Sequence, residues 1–178
     1  MSRTPALALL LLLALACGRV SEGEAHRLVT RYNEVVSEAY RRCDVQLIDS
    51  VVSMEGPAGK RLTGLIGVRA DMGLILDAHL DELAITGVTR TKNDLEIRTR
   101  ERWSYLDRRV GTGEQVGEAS VDHYEVVYLL RLEKGAWMVT ETKFAAPPQV
   151  GRQATPWRMD ARDAHAITTP TPAPGAKP

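Results

Sequence analysis

The sequence predicts an α+β domain in which N-terminal helices pack on a curved antiparallel sheet of about four strands. Three observations predict it. The hydrophobic period is 3.6 residues as far as about Leu80 and 2 residues after it, all the helical signals precede all the strand signals, and short polar or glycine-containing turns separate the strands.

The elements follow in order. Ser21-Glu22-Gly23-Glu24 reads as a capping box, in which the Ser21 hydroxyl and the Glu24 carboxylate satisfy amides at a helix start. Leu28, Val29, Tyr32, Val35, Val36, Ala39, Tyr40 and Cys43 then form one apolar stripe, opposed by Arg27, Arg31, Glu34, Glu38 and Arg41. Asp44 caps a shorter helix through Val45, Ile48, Val51 and Val52, which Gly56-Pro57 breaks. A third helix is expected from about Pro57 to His79, burying Leu62, Leu65, Ile66, Met72, Ile75 and Leu76. Gly64, Gly67 and Gly73 each cost about 1 kcal/mol relative to alanine, which implies close helix contacts or a break near Gly67.

From Glu82 the pattern alternates. Glu82 to Arg90 is the first expected strand, and Asn93-Asp94 the turn after it. In the second strand Leu95, Ile97, Thr99, Glu101, Trp103 and Tyr105 alternate with Glu96, Arg98, Arg100, Arg102 and Ser104, so one face is largely apolar and the other basic. Val110 to Ser120 reads as a hairpin loop. Tyr124, Val126, Tyr128, Leu130 and Leu132 mark the third strand, and Glu133-Lys134-Gly135 turns into a fourth, Ala136 to Phe144.

The chain has 178 residues, 44% of them hydrophobic and 26% charged, as expected for a single globular domain. Basic and acidic side chains tie at 23 each, which removes the attraction on which non-specific nucleic-acid binding depends, and no nucleic-acid role is expected. The uncharged run 6–16, ALALLLLLALA, is too short to span about 30 Å of hydrocarbon but suits the apolar part of a signal peptide. From Ala145 onward, seven of the nine prolines and sparse apolar residues predict a disordered Pro-rich tail, 145–178, in which Trp157 and Met159 form the single patch able to dock.

The leader ends in Ala14-Leu15-Ala16-Cys17-Gly18, which resembles the lipobox of bacterial lipoproteins, with Ala14 standing where leucine is usual. The resemblance implies cleavage after residue 16 and acyl chains on Cys17 that anchor the protein to a membrane without spanning it. The alternative is an ordinary export signal that leaves Cys17 unlipidated. By the same resemblance, Gly18 after the cysteine implies an outer-membrane protein facing the periplasm where the cell has two membranes. The expected organisation is a signal peptide at 1–16, an anchor and short linker at 17–20, the domain at 21–144 and the tail. Cys43 is then the one remaining thiol, expected to be buried and inert, and no disulfide framework is expected.

Helices followed by a meander, with Tyr124-Glu-Val-Val-Tyr-Leu-Leu-Arg-Leu-Glu-Lys-Gly-Ala-Trp137 as a closing hairpin, resemble the NTF2-like, cystatin-like α+β cone superfamily. With Trp103-Ser-Tyr105 upstream, that hairpin also resembles the ARC6-like, partner-binding version of the domain. The superfamily implies either a binding module or a small-molecule enzyme with an acidic or histidine side chain inside the cone.

The chain contains no HExxH, no CxxC pair, no G-x-S-x-G, no Walker loop and no EF-hand loop, and no cofactor or metal is expected. Gly111, Gly113 and Gly117 lack the spacing of a dinucleotide fingerprint and lie between strands. His26 falls at a helix start, His79 at a helix end and His165 in the tail, while His123 is expected to face outward, opposite Tyr124 and Tyr128. Glu101 is the candidate catalytic base, because strand parity sets it on the apolar face where desolvation raises its pKa; the plainer reading is a sheet-edge position or an ion pair with a neighbouring arginine. Arg98, Arg100 and Arg102 form a candidate surface for an acidic partner, against the plainer reading of a solvated face balanced by Glu96, Glu125 and Glu141. The sequence thus leans towards a non-catalytic, lipid-anchored envelope protein that binds a protein partner or small ligand. An isomerase- or dehydratase-type enzyme using Glu101 is the alternative.

Overall fold

The computed structural model describes residues 20–144. The expected signal peptide, Cys17 and the expected Pro-rich tail lie outside the described residues. Helix α1 spans Glu22–Arg42; Ser21 caps it by accepting the Glu24 amide at 3.1 Å. Acidic Glu22 and Glu24 lie at its positive end and Arg41 and Arg42 at its negative end, as the helix dipole favours. Its buried side carries the expected apolar stripe, and also Asn33 and Ser37.

Cys43 ends α1 in the left-handed region at φ 51°. There it swings off the stripe and is half-buried instead of buried, with its thiol directed at the Leu74 carbonyl at 3.5 Å. Burial pushes the thiol pKa up, against the Arg69 charge, which lowers the fraction of reactive thiolate. Asp44 accepts the Gln46 amide, but the helix it caps is a 3-10 turn, Val45–Ser50. Val51–Ser53 do not continue that helix, because Val52 bridges Val139 in parallel, with the Ser53 amide on the Val139 carbonyl at 2.9 Å.

Helix α2 spans Pro57–Asp71 and buries Leu62, Leu65 and Ile66. It stops well short of the expected His79, because Gly73 takes φ 67° and its amide closes back on the Ala70 carbonyl. Met72, expected in the core, is consequently 46% exposed, and His79 lies on a strand. Gly64 and Gly67 mark neither a close contact nor a break; a Cβ on either would meet nothing within 4 Å. The close approach falls at Gly59, where a Cβ would sit 2.6 Å from the Met54 Cα.

The four strands β1 (Leu74–Arg90), β2 (Asp94–Arg109), β3 (Gln115–Glu133) and β4 (Ala136–Phe144) form an antiparallel meander in the order β1-β2-β3-β4. β1 begins earlier than the expected Glu82. The expected loop Val110 to Ser120 shrinks to a turn, because β3 begins at Gln115 and absorbs Gly117 (φ 75°) near a register shift. Lys134 and Gly135, both at positive φ, make the tight turn into β4. Register shifts in all three strand pairs bend the sheet, and α1 and α2 fill its inner face.

Alternation holds on β2 and β3. Leu95, Ile97, Trp103, Tyr124, Val126, Tyr128 and Leu130 point into the core. The register then sets Thr89, Glu96, Leu129 and Glu141 in one row across the outer face, followed by Gly87, Arg98, Val127 and Lys143, then Ala84, Arg100 and Glu125.

Candidate functional site

Glu101 lies mid-strand on β2 between Thr99 and Trp103 and is 4% exposed. It is neither at a sheet edge nor in an ion pair. Its Oε1 accepts the Thr99 and Tyr128 hydroxyls, both at 2.7 Å, and its Oε2 accepts the Trp103 indole N–H at 2.8 Å. The Tyr128 oxygen in turn accepts the Asn33 amide of α1 at 3.1 Å, so the network ties the helix to the sheet. Burial pushes the Glu101 pKa up, against the three hydrogen bonds, which favour the carboxylate. Tyr128 is raised too, by burial first and then by the Glu101 charge.

Aromatic rings close around this group. Tyr32 meets Tyr128 edge-on at 5.4 Å, Trp103 stacks with Tyr105 at 5.9 Å, and Tyr124 tilts against Phe144 at 5.4 Å. The space left beside Glu101, between Tyr32, Tyr124, Val126 and Phe144, is about 20 Å³. That holds one water molecule and no organic substrate, for which a few hundred Å³ are usual. A second buried acid, Asp122, stands opposite Trp103 in the register and is 1% exposed. Its Oδ2 accepts the Tyr124 hydroxyl at 3.0 Å, and its Oδ1 has no hydrogen-bond partner among the described residues.

Sequence reasoning missed both Asp122 and Asn33. The signals existed: Asp122 shares strand parity with Tyr124, and Asn33 sits four residues after Val29 on the buried side of the helix. Each is a polar side chain within a buried row, where the apolar period gives no mark of it.

Arg98, Arg100 and Arg102 lie on the outer face as expected. Arg98 pairs with Glu96 at 2.7 Å, whereas Arg102 pairs with Glu82 of β1 at 3.2 Å. Arg100 stands opposite Glu125 in the register and is exposed. Glu141 pairs instead with Lys143, along its own strand. His123 is exposed on the outer face, as parity predicts, and His79 pairs with Asp77 at 3.3 Å. Among the described residues no cluster of three metal-ligating side chains occurs, and no helix is long and apolar enough to cross a membrane.

Larger concavities lie away from Glu101, one of them, of about 430 Å³, between α1 and β1 and lined by Asn33, Ser37, Ala78 and Leu80. A trough of about 690 Å³ crosses the outer face at the β1–β2 and β3–β4 turn end of the sheet. A groove of about 240 Å³ on the helix side is lined by Leu28, Tyr32, Val51 and Trp137, and the Arg90 guanidinium lies 5.3 Å from the Trp137 ring.

No protein-family profile matches the chain, and no curated protein does. Among solved structures it is similar to the intermembrane space region of the chloroplast protein ARC6, with a TM-score of 0.63 at 20% identity over 73% of this chain and 100% of that one. It is also similar to an NTF2-like superfamily protein from Salmonella enterica subsp. enterica serovar Typhimurium str. LT2, with a TM-score of 0.50 at 10% identity over 74% of this chain and 96% of that one. At these identities the likeness concerns the fold. Helices packed on an open four-stranded antiparallel sheet give this chain an NTF2-like α+β cone fold.

Proposed function

We propose that this chain is a non-catalytic envelope protein, anchored through acyl chains on Cys17, whose NTF2-like domain binds a protein partner through its surface. The observation that carries the reading is the filled cone: Glu101 spends both oxygens on internal donors and has about 20 Å³ beside it. An isomerase- or dehydratase-type reaction needs a substrate within hydrogen-bond reach of the base, and that space is occupied by Tyr32, Tyr124 and Phe144. The likeness to an intermembrane-space region supports an envelope setting. The outer face offers Arg98, Arg100 and Arg102 to an acidic partner; Arg98 and Arg100 are exposed and Arg102 is half-buried.

The test is photo-crosslinking in intact envelopes from a reporter at Ala84, which neighbours Arg100 on the outer face. A discrete adduct that disappears in Arg100→Glu supports the reading. Labelling no different from that of the charge-reversed variant, or turnover of a small carbonyl substrate that Glu101→Gln abolishes, would overturn it.

A further inference from the structure

The outer-face trough has an acidic rim. Glu55 rises on one side, Glu96 and Glu141 lie in the row across the sheet, and Asp94 and Glu133 stand at the turn end. Ion pairs engage Asp94 with Arg131, Glu96 with Arg98 and Glu141 with Lys143. Glu55 and Glu133 have no ion pair among the described residues, so the rim keeps an excess of negative charge. Its floor is apolar, formed by half-buried Leu129 with Pro57 beside it.

The chain carries its own complement. Beyond β4, residues 145–178 hold Arg152, Arg158, Arg162 and Lys177 against Asp160 and Asp163, and the one tryptophan of this segment, Trp157, lies between Pro156 and Arg158. The segment leaves β4 three residues after Glu141, a distance of about 10 Å along a strand. Trp157 follows Phe144 by thirteen residues, enough to reach about 43 Å fully extended.

We propose that segment 152–162 folds back into this trough, with Trp157 over Leu129 and Pro57 and the arginines against Glu55, Glu133 and Glu141. The tether makes docking intramolecular, at an effective concentration on the order of millimolar. An intrinsic affinity weaker than that of most protein complexes therefore suffices. The proposal does not depend on a partner existing.

The test uses the full chain and the indole N–H resonance of Trp157, assigned by its loss in Trp157→Phe. At low ionic strength the resonance should lie away from its random-coil position, independently of protein concentration. It should collapse to that position in Glu55→Gln/Glu133→Gln and in about 0.5 M salt, which screens exposed charge pairs beyond a few ångströms. The buried Trp103 indole should not move in the double variant, which shows that the variant is folded. A random-coil position in the unaltered chain overturns the proposal. So does a displaced resonance that ignores the two glutamates, or one that changes with concentration, which would place another copy's segment or a different surface at Trp157. Failure of the Ala84 crosslinking experiment leaves this result intact, so the two readings fail separately.

Discussion

Removing one hydroxyl from the buried network has a calculable effect. Tyr128→Phe keeps the ring that meets Tyr32 at 5.4 Å, so packing is conserved and only the oxygen is lost. That oxygen donates to Glu101 at 2.7 Å and accepts from Asn33 at 3.1 Å, and none of the three residues exceeds 4% exposure. A hydrogen bond to a charged acceptor contributes about 1.5–3 kcal/mol, and a buried donor left without its acceptor costs about 1–3 kcal/mol. Both losses share one atom, and Glu101 keeps Thr99 and Trp103 as donors, so the expected loss of stability is about 2–3 kcal/mol. The lost donor favoured the carboxylate, so in the variant Glu101 is pushed up further than burial already pushes it. A carboxyl whose folded-state pKa exceeds its unfolded value contributes stability below the unfolded value and loses it as pH rises through the folded one. The variant loses more, and its deficit should therefore be larger at about pH 8 than at about pH 5. Urea unfolding of the full chain at both pH values measures this. A deficit below about 0.5 kcal/mol at both, or one larger at the acid end, would refute the network's role.

Three further outcomes are expected. Glu101→Gln keeps the shape and removes the titration, so the unaltered protein should lose stability relative to the variant as pH rises through the folded-state pKa of Glu101; a pH-independent difference in the unfolding midpoints would show that the carboxyl is not perturbed. Gly59→Ala drives a Cβ to within 2.6 Å of the Met54 Cα and should cost about 1–3 kcal/mol or more, whereas Gly64→Ala, with open space in a helix, should gain up to about 1 kcal/mol. Thermal melts of the pair read the opposite signs, and equal shifts would contradict the packing at Gly59. Cys17→Ser should move the protein from the membrane to the soluble fraction, and unchanged fractionation would refute lipidation at that site.

Much of the architecture was legible because it rests on local rules. Ser21 and Asp44 cap the elements they were expected to cap, and the α1 stripe faces the sheet. The alternation on β2 puts Glu101 and the arginines on opposite faces. Boundaries failed where a local signal is ambiguous. Ile75 and Leu76 fit a helical stripe and a strand equally well, and only the left-handed turn at Gly73, held by the Val110 amide on its carbonyl, selects the strand. The 110–120 segment looked like a loop because Gly117 is a strand irregularity as readily as a turn residue.

The candidate site was half legible. Parity fixes that Glu101 points inward, but parity carries no information about what meets it there. Whether a buried carboxyl faces a substrate cavity or a closed network depends on Asn33 from α1, Tyr128 from β3, and Tyr32, Tyr124 and Phe144 filling the remaining volume. Those contacts join residues as many as 95 positions apart. The order of helices before strands, the two faces of β2 and the inward placing of Glu101 were set by the sequence alone, because propensity, capping and periodicity act over a few residues. The tertiary structure alone decided that the cone is filled and that the open concavities lie on its surface, because volume is shared among side chains that are distant in the chain.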